Sequence, residues 1–533
     1  FAAETCARRS GTMLTSRVAW AAAAAVALCA GRGGEAFSVS RVSRAGRAQG
    51  ARAPRRSCVS MVKTQSDVVG AGTQVDAHDA VLCNREINLR QIDAIGFDMD
   101  FTLAQYETAF DLLAFEGAKE KLVTEMGYPE AVRDFKYDAD TFTRGLIIDK
   151  AAGNFLKIDR HKYVRVASHG HKVLSSEDRK AIYRPSFEGT LEFKGSNFVK
   201  MDTLFHVVDA SLFAQLVDLK DSDPAAVTKD FATMYKDVRA CVDLCHRDGT
   251  IKDLVAQDPK PYIKEDPNLI PMLRAYKNAG KKVFLLTNSY WEYTNVVMNF
   301  LWGNDVENRD LDWIDLFDVV ICGATKPHFL TDPYLNLFRV RTEDGTLENT
   351  DGAPETGVDE FLAKGKVFQG GNFRDLHRML ELSSGERLLY VGDHMYSDVL
   401  RTKRSLGWRT CLIIPELEHE IDTLNGNEEL IDNIARLRRE QYEKDLRVDD
   451  MVTHGDVDEE ALSALDEAQA KIKEELRAAN EAYHHAFHPT WGQLFKAGYQ
   501  DSQFSKQVQT YACLYTGKAS NLGHVAPLRH FRP

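Results

Sequence analysis

The chain has 533 residues, of which 44% are hydrophobic and 27% are charged. This is the composition of a globular protein, and the length suffices for a core domain with an inserted domain and appendages. The formal net charge is −12; residues 1–61 contribute +8, from ten Arg and two Glu, which leaves −20 for residues 62–533. The strongly negative charge of residues 62–533 argues against nucleic acid or an anionic membrane as a partner.

A basic leader is predicted for residues 1–66. From Met13, a positive flank at Arg17 precedes the apolar run 18–30, and small residues follow, as in a secretory signal. The run is too short to span a bilayer comfortably, so we expect no stable membrane anchor. Residues 37–66 contain no acidic residue and are rich in Arg, Ser and Ala, which is typical of transit peptides. This two-part pattern predicts delivery to a plastid; a mitochondrion or the cytosol is the alternative.

The first chemically informative stretch closes the segment 67–103, which we interpret as the start of the core. The apolar run 92–97 leads into Asp98-Met99-Asp100-Phe101-Thr102. We predict a buried strand that presents two carboxylates at its carboxyl end, where open α/β folds place their chemistry. One carboxylate can attack as a nucleophile while the other moves a proton, and together they suit Mg²⁺. An ordinary polar turn is the alternative.

A large insertion follows, because the next core strand is not expected before Lys282. In a doubly wound fold, an insertion at 104–267 would form a cap over the strand ends and determine substrate specificity. A separate domain unrelated to the site is the alternative. The apolar spacing predicts helices over 109–126, 210–219 and 225–245, with an extended block over 144–202 between them.

Strands and helices alternate through residues 268–415, which predicts a parallel sheet. We expect a small insertion near 338–372, read as a hairpin or an irregular excursion. The fold class is therefore α/β, a doubly wound parallel sheet with an inserted cap and a helical C-terminal extension. The predicted strands are 282–287, 317–322, 387–391 and 409–414, and the predicted helices are 271–280, 290–302, 373–382 and 396–406.

The remaining chain divides into two parts. Residues 416–490 are charged and rich in helix formers, which predicts two long helices that split near 448–457 and form a hairpin. A coiled-coil element is the alternative, and such helices allow the chain to form homo-oligomers. Residues 491–533 are aromatic again and are predicted to pack on the core.

Three later strand ends each carry a particular residue. FLLTNS contains Thr287, VVICGATKP contains Lys326, and LLYVGDHMYSD contains Asp393 and Asp398. Each residue alone would pass as an ordinary strand or loop position. Together with Asp98 and Asp100, and in this order, they resemble the four motifs of the haloacid-dehalogenase (HAD) superfamily of aspartate-nucleophile phosphatases.

The resemblance implies a role for each of these residues. Asp98 would be the nucleophile, and Asp100 would protonate the leaving oxygen and then activate water. Thr287 would bind the phosphate together with Asn288 and Ser289, and Lys326 would neutralise its charge. The implied cofactor is Mg²⁺, with Asp98, the backbone carbonyl of Asp100, Asp393 and Asp398 as the metal site. In that site Asp393 would bind the ion directly, and Asp398 would orient the groups around it or contact Lys326.

Three stretches indicate a more specific family within this superfamily: GFDMDFTLAQY, FLLTNSYWEYTNVVMNFL and the residues around Asp393. These stretches are similar to those of the cytosolic purine 5′-nucleotidases and their nucleotidase-domain-containing relatives. The implied function is Mg²⁺-dependent hydrolysis of purine nucleoside 5′-monophosphates through an aspartyl-phosphate. A HAD phosphatase for another phosphate ester, or a catalytically silent nucleotide-binding scaffold, is the alternative.

The same resemblance extends to FATMYKDVRACVDLCHRDGTIK and MDTLFHVVD in the insertion. It implies that Phe205 stacks on the base, and that Arg239 and Asp243 contact it. His246 would lie nearby, and Lys252 would reach towards the phosphate. The spacing of Arg239, Asp243 and His246 places them on one helix face, where a salt-bridged surface is the alternative. His206 and Arg247 differ from the purine enzymes' Asn and Tyr, which bears on base preference.

Overall fold

The computed structural model describes residues 76–184, 192–454 and 459–533. The leader predicted for residues 1–66 lies outside this part of the chain. No helix among the described residues combines the length and the apolar character that crossing a bilayer requires.

Nineteen strands are present in the described residues. They are β1 Leu82–Cys83, β2 Ile87–Asn88, β3 Ala94–Phe97, β4 Ile147–Asp149, β5 Asn154–Ile158, β6 Val164–His169, β7 Lys172–Val173, β8 Phe198–Lys200, β9 Lys282–Leu286, β10 Val319–Cys322, β11 Leu337–Val340, β12 Leu347–Asn349, β13 Val367–Gly370, β14 Leu388–Gly392, β15 Arg409–Ile413, β16 Lys496–Ala497, β17 Gln500–Asp501, β18 Leu514–Thr516 and β19 His530–Phe531.

The helices of the same residues are numbered separately, and α10 among them is a wide, π-type helix. They are α1 Thr108–Thr124, α2 Ser176–Tyr183, α3 His206–Ser222, α4 Phe231–Arg247, α5 Lys252–Gln257, α6 Leu269–Asn278, α7 Trp291–Trp302, α8 Val358–Ala363, α9 Phe373–Met379, α10 Met395–Leu406, α11 Leu417–Gly426, α12 Glu428–His454, α13 Glu459–Phe487 and α14 Gln503–Tyr511.

The main sheet has ten strands in the order β1-β18-β15-β14-β3-β9-β10-β13-β11-β12. The seven strands from β18 to β13 run parallel, and β1, β11 and β12 are antiparallel additions at the two edges. The predicted parallel α/β core is thus confirmed. Every residue of β3 is buried, as expected for a parallel strand covered on both faces. Gly96 is required there, because a Cβ atom would lie 2.0 Å from the Phe284 ring.

The inserted segment folds around its own small sheet. Strands β7-β6-β5-β4-β8 pair antiparallel throughout, so the block predicted as extended forms a five-stranded sheet. Helices α1, α3 and α4 pack against one another beside it. Helix α4 begins at Phe231 rather than at residue 225, because the Asp230 side chain accepts a hydrogen bond from the Thr233 N–H and caps the helix there.

The segment 338–372 differs from the expected small insertion. Strands β11 and β12 form the antiparallel hairpin, but both belong to the main sheet. Strand β13 was not predicted, and it runs parallel to β10. The local sequence does not predict β13, because the strand has only four residues and ends in Gly370, and Gly371 follows. Two consecutive glycines are typical of a turn. The segment therefore extends the main sheet.

The described residues of the charged region form three helices where two were expected, since α11 precedes the long pair. Helices α12 and α13 pack as an antiparallel hairpin through Ile434, Leu437, Ile472 and Ala479. In the closing segment, β18 lies between β15 and β1, so residues near the end of the chain complete the main sheet.

Candidate active site

Asp98 follows β3 and lies against Lys326. The Nζ of Lys326 is 3.0 Å from Asp98 Oδ2 and 3.0 Å from Asp398 Oδ1, and it also donates a 3.0 Å hydrogen bond to the Tyr390 hydroxyl. Burial alone would lower the pKa of Lys326, but the carboxylates of Asp398 and Asp98 outweigh it and hold this pKa well above its ordinary value. The ammonium group therefore stays charged between the two carboxylates.

Asp98 and Asp398 belong to a cluster of three buried carboxylates, with Asp393 as the third member. Oxygens of Asp98, Asp393 and Asp398 all lie within 4.8 Å of one another. Burial raises the pKa of Asp98 well above its ordinary value, against the effect of Lys326. Burial, and then the neighbouring Asp398, raises the pKa of Asp393 to about 7. Crowded carboxylate oxygens of this kind fit a small divalent cation such as Mg²⁺, whose charge would offset their repulsion.

The carboxylate of Asp100 is turned away from that cluster. Tyr106 donates a hydrogen bond to Asp100 Oδ1 over 2.5 Å, and Ser289 Oγ donates one to Oδ2 over 2.9 Å. Its backbone turns sharply at the next residue, since Phe101 has a φ of +54°. The side chain of Asp100 is therefore not among the clustered carboxylates, and the metal assignment of this residue concerns its backbone carbonyl.

The segment after β9 supports the neighbouring loop. Thr287 is fully buried, and its Oγ1 accepts a hydrogen bond from the Ser289 N–H at 3.0 Å. Asn288 Oδ1 accepts one from the Lys326 N–H at 2.6 Å. The Asn288 side chain thus braces the backbone that carries Lys326, whereas sequence reasoning assigned it to the substrate.

Two residues of the inserted segment donate hydrogen bonds to Asp393 itself, and sequence reasoning missed both. Thr203 Oγ1 donates a 3.0 Å hydrogen bond to Asp393 Oδ2. Arg144, which is 1% exposed, donates a 2.8 Å hydrogen bond to the Asp393 carbonyl. The same guanidinium donates to both carboxylate oxygens of Glu416, at 3.0 and 2.7 Å. Thr203 stands two residues before Phe205, so its proximity to a residue already singled out was the available signal.

A cavity of about 1000 Å³ opens between helices α4 and α5 of the insertion and helix α7 of the core. Of the residues predicted to bind substrate, its lining includes Asp243, His246, Lys252 and Asn288. The Asp98 cluster is not part of this lining, but Asn288, which is, accepts a hydrogen bond from the Lys326 N–H. Its volume is at the upper end for small-molecule sites.

The remaining predicted substrate residues occupy defined positions. The Phe205 ring meets Phe101 edge to face, with centroids 4.7 Å apart, and also meets His246. Arg239 donates to Asp209 Oδ2 at 2.7 Å and pairs with Asp243. Burial, together with the nearby cations Arg239 and Lys252, lowers the pKa of His246 to about 4, so its ring is neutral at pH 7.

Comparison with known proteins identifies the family of this chain. A family model described as the 5′ nucleotidase family matches residues 81–533. Human 5′-nucleotidase domain-containing protein 2 is 31% identical over 453 residues, covering 83% of this chain and 81% of that protein. A 5′-nucleotidase domain-containing protein of Dictyostelium discoideum is 30% identical over 471 residues, covering 85% of this chain and 74% of that protein.

Solved structures were compared as well. A HAD phosphatase from Thermococcus onnurineus is 15% identical with a TM-score of 0.24, covering 61% of this chain and 87% of that one. CbbY from Rhodobacter sphaeroides, in complex with phosphate, is 13% identical with a TM-score of 0.21, covering 60% and 86%. TM-scores this low support no inference. The family match, which spans most of the described residues, shows that the chain belongs to the 5′-nucleotidase family of phosphoric monoester hydrolases.

Proposed function

We propose that the protein is an Mg²⁺-dependent 5′-nucleotidase that hydrolyses purine nucleoside 5′-monophosphates to nucleoside and phosphate. The observation that carries this proposal is the Asp98–Lys326 ion pair inside a cluster of three buried carboxylates. A carboxylate held beside a buried ammonium group is suited to attack a phosphate ester, because the ammonium offsets the negative charge that the two share.

The reaction proceeds in two steps. Asp98 attacks phosphorus, the bond from phosphorus to the 5′-oxygen breaks, and the carboxyl proton of Asp100 passes to that oxygen. Water then attacks the phosphorus of the aspartyl-phosphate and gives its proton to the Asp100 carboxylate. The bond between Asp98 and phosphorus breaks, and inorganic phosphate leaves. Thr287 donates a hydrogen bond to a phosphate oxygen, Ser289 holds Asp100, and Lys326 balances the charge of the phosphate.

Asp98, Asp393, Asp398 and the backbone carbonyl of Asp100 are the groups that would hold Mg²⁺. When bound there, the ion supplies positive charge next to the phosphate oxygens. Lys326 contributes a fixed positive charge beside Asp98, which favours the ionised nucleophile against the effect of burial.

The segment 104–267 acts in this proposal as a cap that selects the substrate. Its cavity of about 1000 Å³ combines a neutral His246, the carboxylate of Asp243 and the cation Lys252. Phe205 offers an aromatic ring near the nucleophile strand. A planar base with ring donors and acceptors fits these groups, and the family resemblance favours a purine.

The test is phosphate release by the full chain, with and without Mg²⁺, from a panel of nucleoside 5′-monophosphates and sugar phosphates. We expect IMP or GMP to be hydrolysed only with Mg²⁺, and Asp98→Asn to abolish turnover. Phosphate release from sugar phosphates alone would mean that the substrates are sugar phosphates and not nucleotides, with the same mechanism. Binding of GMP without turnover of any ester would reject the enzymatic proposal.

We also propose, from the sequence of residues 1–66, that the protein is delivered to a plastid. Fusion of residues 13–66 to a fluorescent protein tests this. A diffuse cytosolic signal would contradict the proposal, and a mitochondrial signal would replace the plastid by another organelle.

A further inference from the structure

Asp100 must present one carboxyl oxygen to the leaving group of the substrate, so its orientation matters to the reaction. Both of its oxygens accept hydroxyl hydrogen bonds, from Tyr106 at 2.5 Å and from Ser289 at 2.9 Å. Two donors on opposite oxygens fix the plane of the carboxyl group. Ser289 belongs to the segment that sequence reasoning assigned to the phosphate, whereas Tyr106 was not singled out.

Tyr106 is held rigidly. Its ring stacks on Phe110, with centroids 4.0 Å apart and planes at 24°, and it meets Phe101 edge to face at 5.2 Å. The residue is 7% exposed. Its backbone forms an isolated antiparallel bridge with Ile263, where the chain returns from the insertion. Tyr106 therefore lies at the junction of insertion and core.

The Tyr106 hydroxyl has a second partner. Its oxygen lies 3.2 Å from the hydroxyl oxygen of Tyr293, on helix α7 of the core, and Tyr293 is 6% exposed. Since Tyr106 uses its proton to bond Asp100, Tyr293 donates to the Tyr106 oxygen. Burial raises the pKa of both phenols, and the nearby Asp100 raises them further, so both remain protonated donors.

We propose that Tyr106 is a positioning residue for Asp100, held in place by Tyr293, and that it sets the efficiency of leaving-group protonation. A chain of hydroxyls then runs from helix α7 through the junction of the insertion to the carboxyl group. The orientation of Asp100 depends on how the insertion sits on the core, because Tyr106 joins the two. This proposal rests on the proposed function, in which Asp100 protonates the leaving oxygen.

The experiment compares two substrates in the full chain with saturating Mg²⁺. The nucleoside of a 5′-monophosphate leaves as an alkoxide and needs the proton, whereas p-nitrophenolate leaves p-nitrophenyl phosphate without one. We measure kcat/KM, which reports the first phosphoryl transfer. Tyr106→Phe keeps the ring and removes the hydroxyl. We expect it to lower kcat/KM for the nucleotide about tenfold or more, which is part of the roughly 10²- to 10⁴-fold contribution of general acid catalysis, and to change kcat/KM for p-nitrophenyl phosphate much less.

Tyr293→Phe should show the same pattern with a smaller loss, and it serves as the decisive variant if Tyr106→Phe does not fold. Tyr334→Phe, at a residue that is 81% exposed, is the matched control and should leave kcat/KM unchanged for both substrates. Equal losses on both substrates, or no loss on either, would overturn the positioning role. If the nonmutated protein hydrolyses another alkyl phosphate in place of nucleotides, the same ratio is measured on that ester. If it hydrolyses no ester, the proposed function fails first and takes this inference with it.

Discussion

The Oγ1 of Thr203 donates a hydrogen bond to Oδ2 of Asp393 over 3.0 Å, so the inserted segment directly holds one of the clustered carboxylates. Arg144, from the same segment, holds the backbone carbonyl of Asp393. The insertion thus shapes the reactive centre itself as well as the neighbouring cavity.

Replacing Arg144 by Met should destabilise the fold. The change leaves Glu416 without its buried partner and the carbonyls of Asp393 and Ile413 without a donor. Removing one member of a buried ion pair typically costs roughly 3 kcal/mol. The free energy of unfolding from urea titrations measures this loss.

The matched control for Arg144 is Arg133→Met. Arg133 pairs with Glu120 and Glu130 at the surface. Surface pairs contribute little to stability, so this variant should remain close to the unmodified protein. Equal losses for the two arginines would show that the contacts of Arg144 add nothing beyond a surface pair.

Mg²⁺ should raise the melting temperature of the protein. Binding to the folded state alone stabilises it by RT ln(1 + [Mg²⁺]/Kd), because the unfolded chain does not hold Asp98, Asp393 and Asp398 together. Asp393→Asn removes one of these carboxylates and should abolish most of the shift. Calorimetric melting with Mg²⁺ and with EDTA gives the comparison.

Asp449→Asn controls for loss of charge alone, because Asp449 is an exposed carboxylate on helix α12. It should retain the full Mg²⁺ shift. A shift that persists in Asp393→Asn would place the ion elsewhere.

Acidification should destabilise the protein partly through His246. Its pKa is about 4 in the fold, against an ordinary value of 6.5, because burial disfavours the charged ring. As the pH falls below 6.5 the unfolded state takes up a proton that the folded state does not, so stability is lost down to about pH 4 and is fully present above 6.5. The unfolding free energy at pH 7.5 and pH 5 should therefore differ less in His246→Gln than in the unmodified protein. An unchanged difference would mean that His246 titrates normally.

Asp209 and Arg239 should be energetically coupled. Asp209 is fully buried and accepts a 2.7 Å hydrogen bond from Arg239, whose pKa is raised because Asp209 and Asp243 outweigh its burial. Arg239→Gln and Asp209→Asn should each destabilise the fold, while the double variant loses less than their sum by about 1–3 kcal/mol. Urea titrations of the unmodified protein, the two single variants and the double variant give the four free energies of unfolding that this double-mutant cycle compares.

The exposed pair Arg436–Glu440 on helix α12 provides the comparison cycle. Its coupling should be about 0.5 kcal/mol or less. A coupling as small between Asp209 and Arg239 would mean that water replaces the lost partner.

The central strands and their terminal residues can be predicted from the sequence because local signals coincide there. An apolar run ends in Asp98, in Thr287 or in Gly392-Asp393, and parallel pairing brings those ends to one edge of the sheet. The contacts of Arg144 could not be predicted in this way, since 272 residues separate it from Glu416. A buried arginine has the same local sequence appearance as an exposed one. The contact between the Tyr106 and Tyr293 hydroxyls could not be predicted either, because 187 positions separate the two residues in the sequence.

The pairing of β18 with β1 joins two segments that are far apart in the sequence, which matters for folding during synthesis. Within the described residues, strand β1 joins the main sheet through its pairing with β18, which in turn pairs with β15. Residues 82–83 leave the ribosome long before residues 514–516, so β1 must wait for β18 before its partner exists. The core can form from β3 to β15 as translation proceeds, but that edge of the sheet closes only after β18 has emerged. Until then the backbone groups of β15 that β18 will pair remain open to other chains.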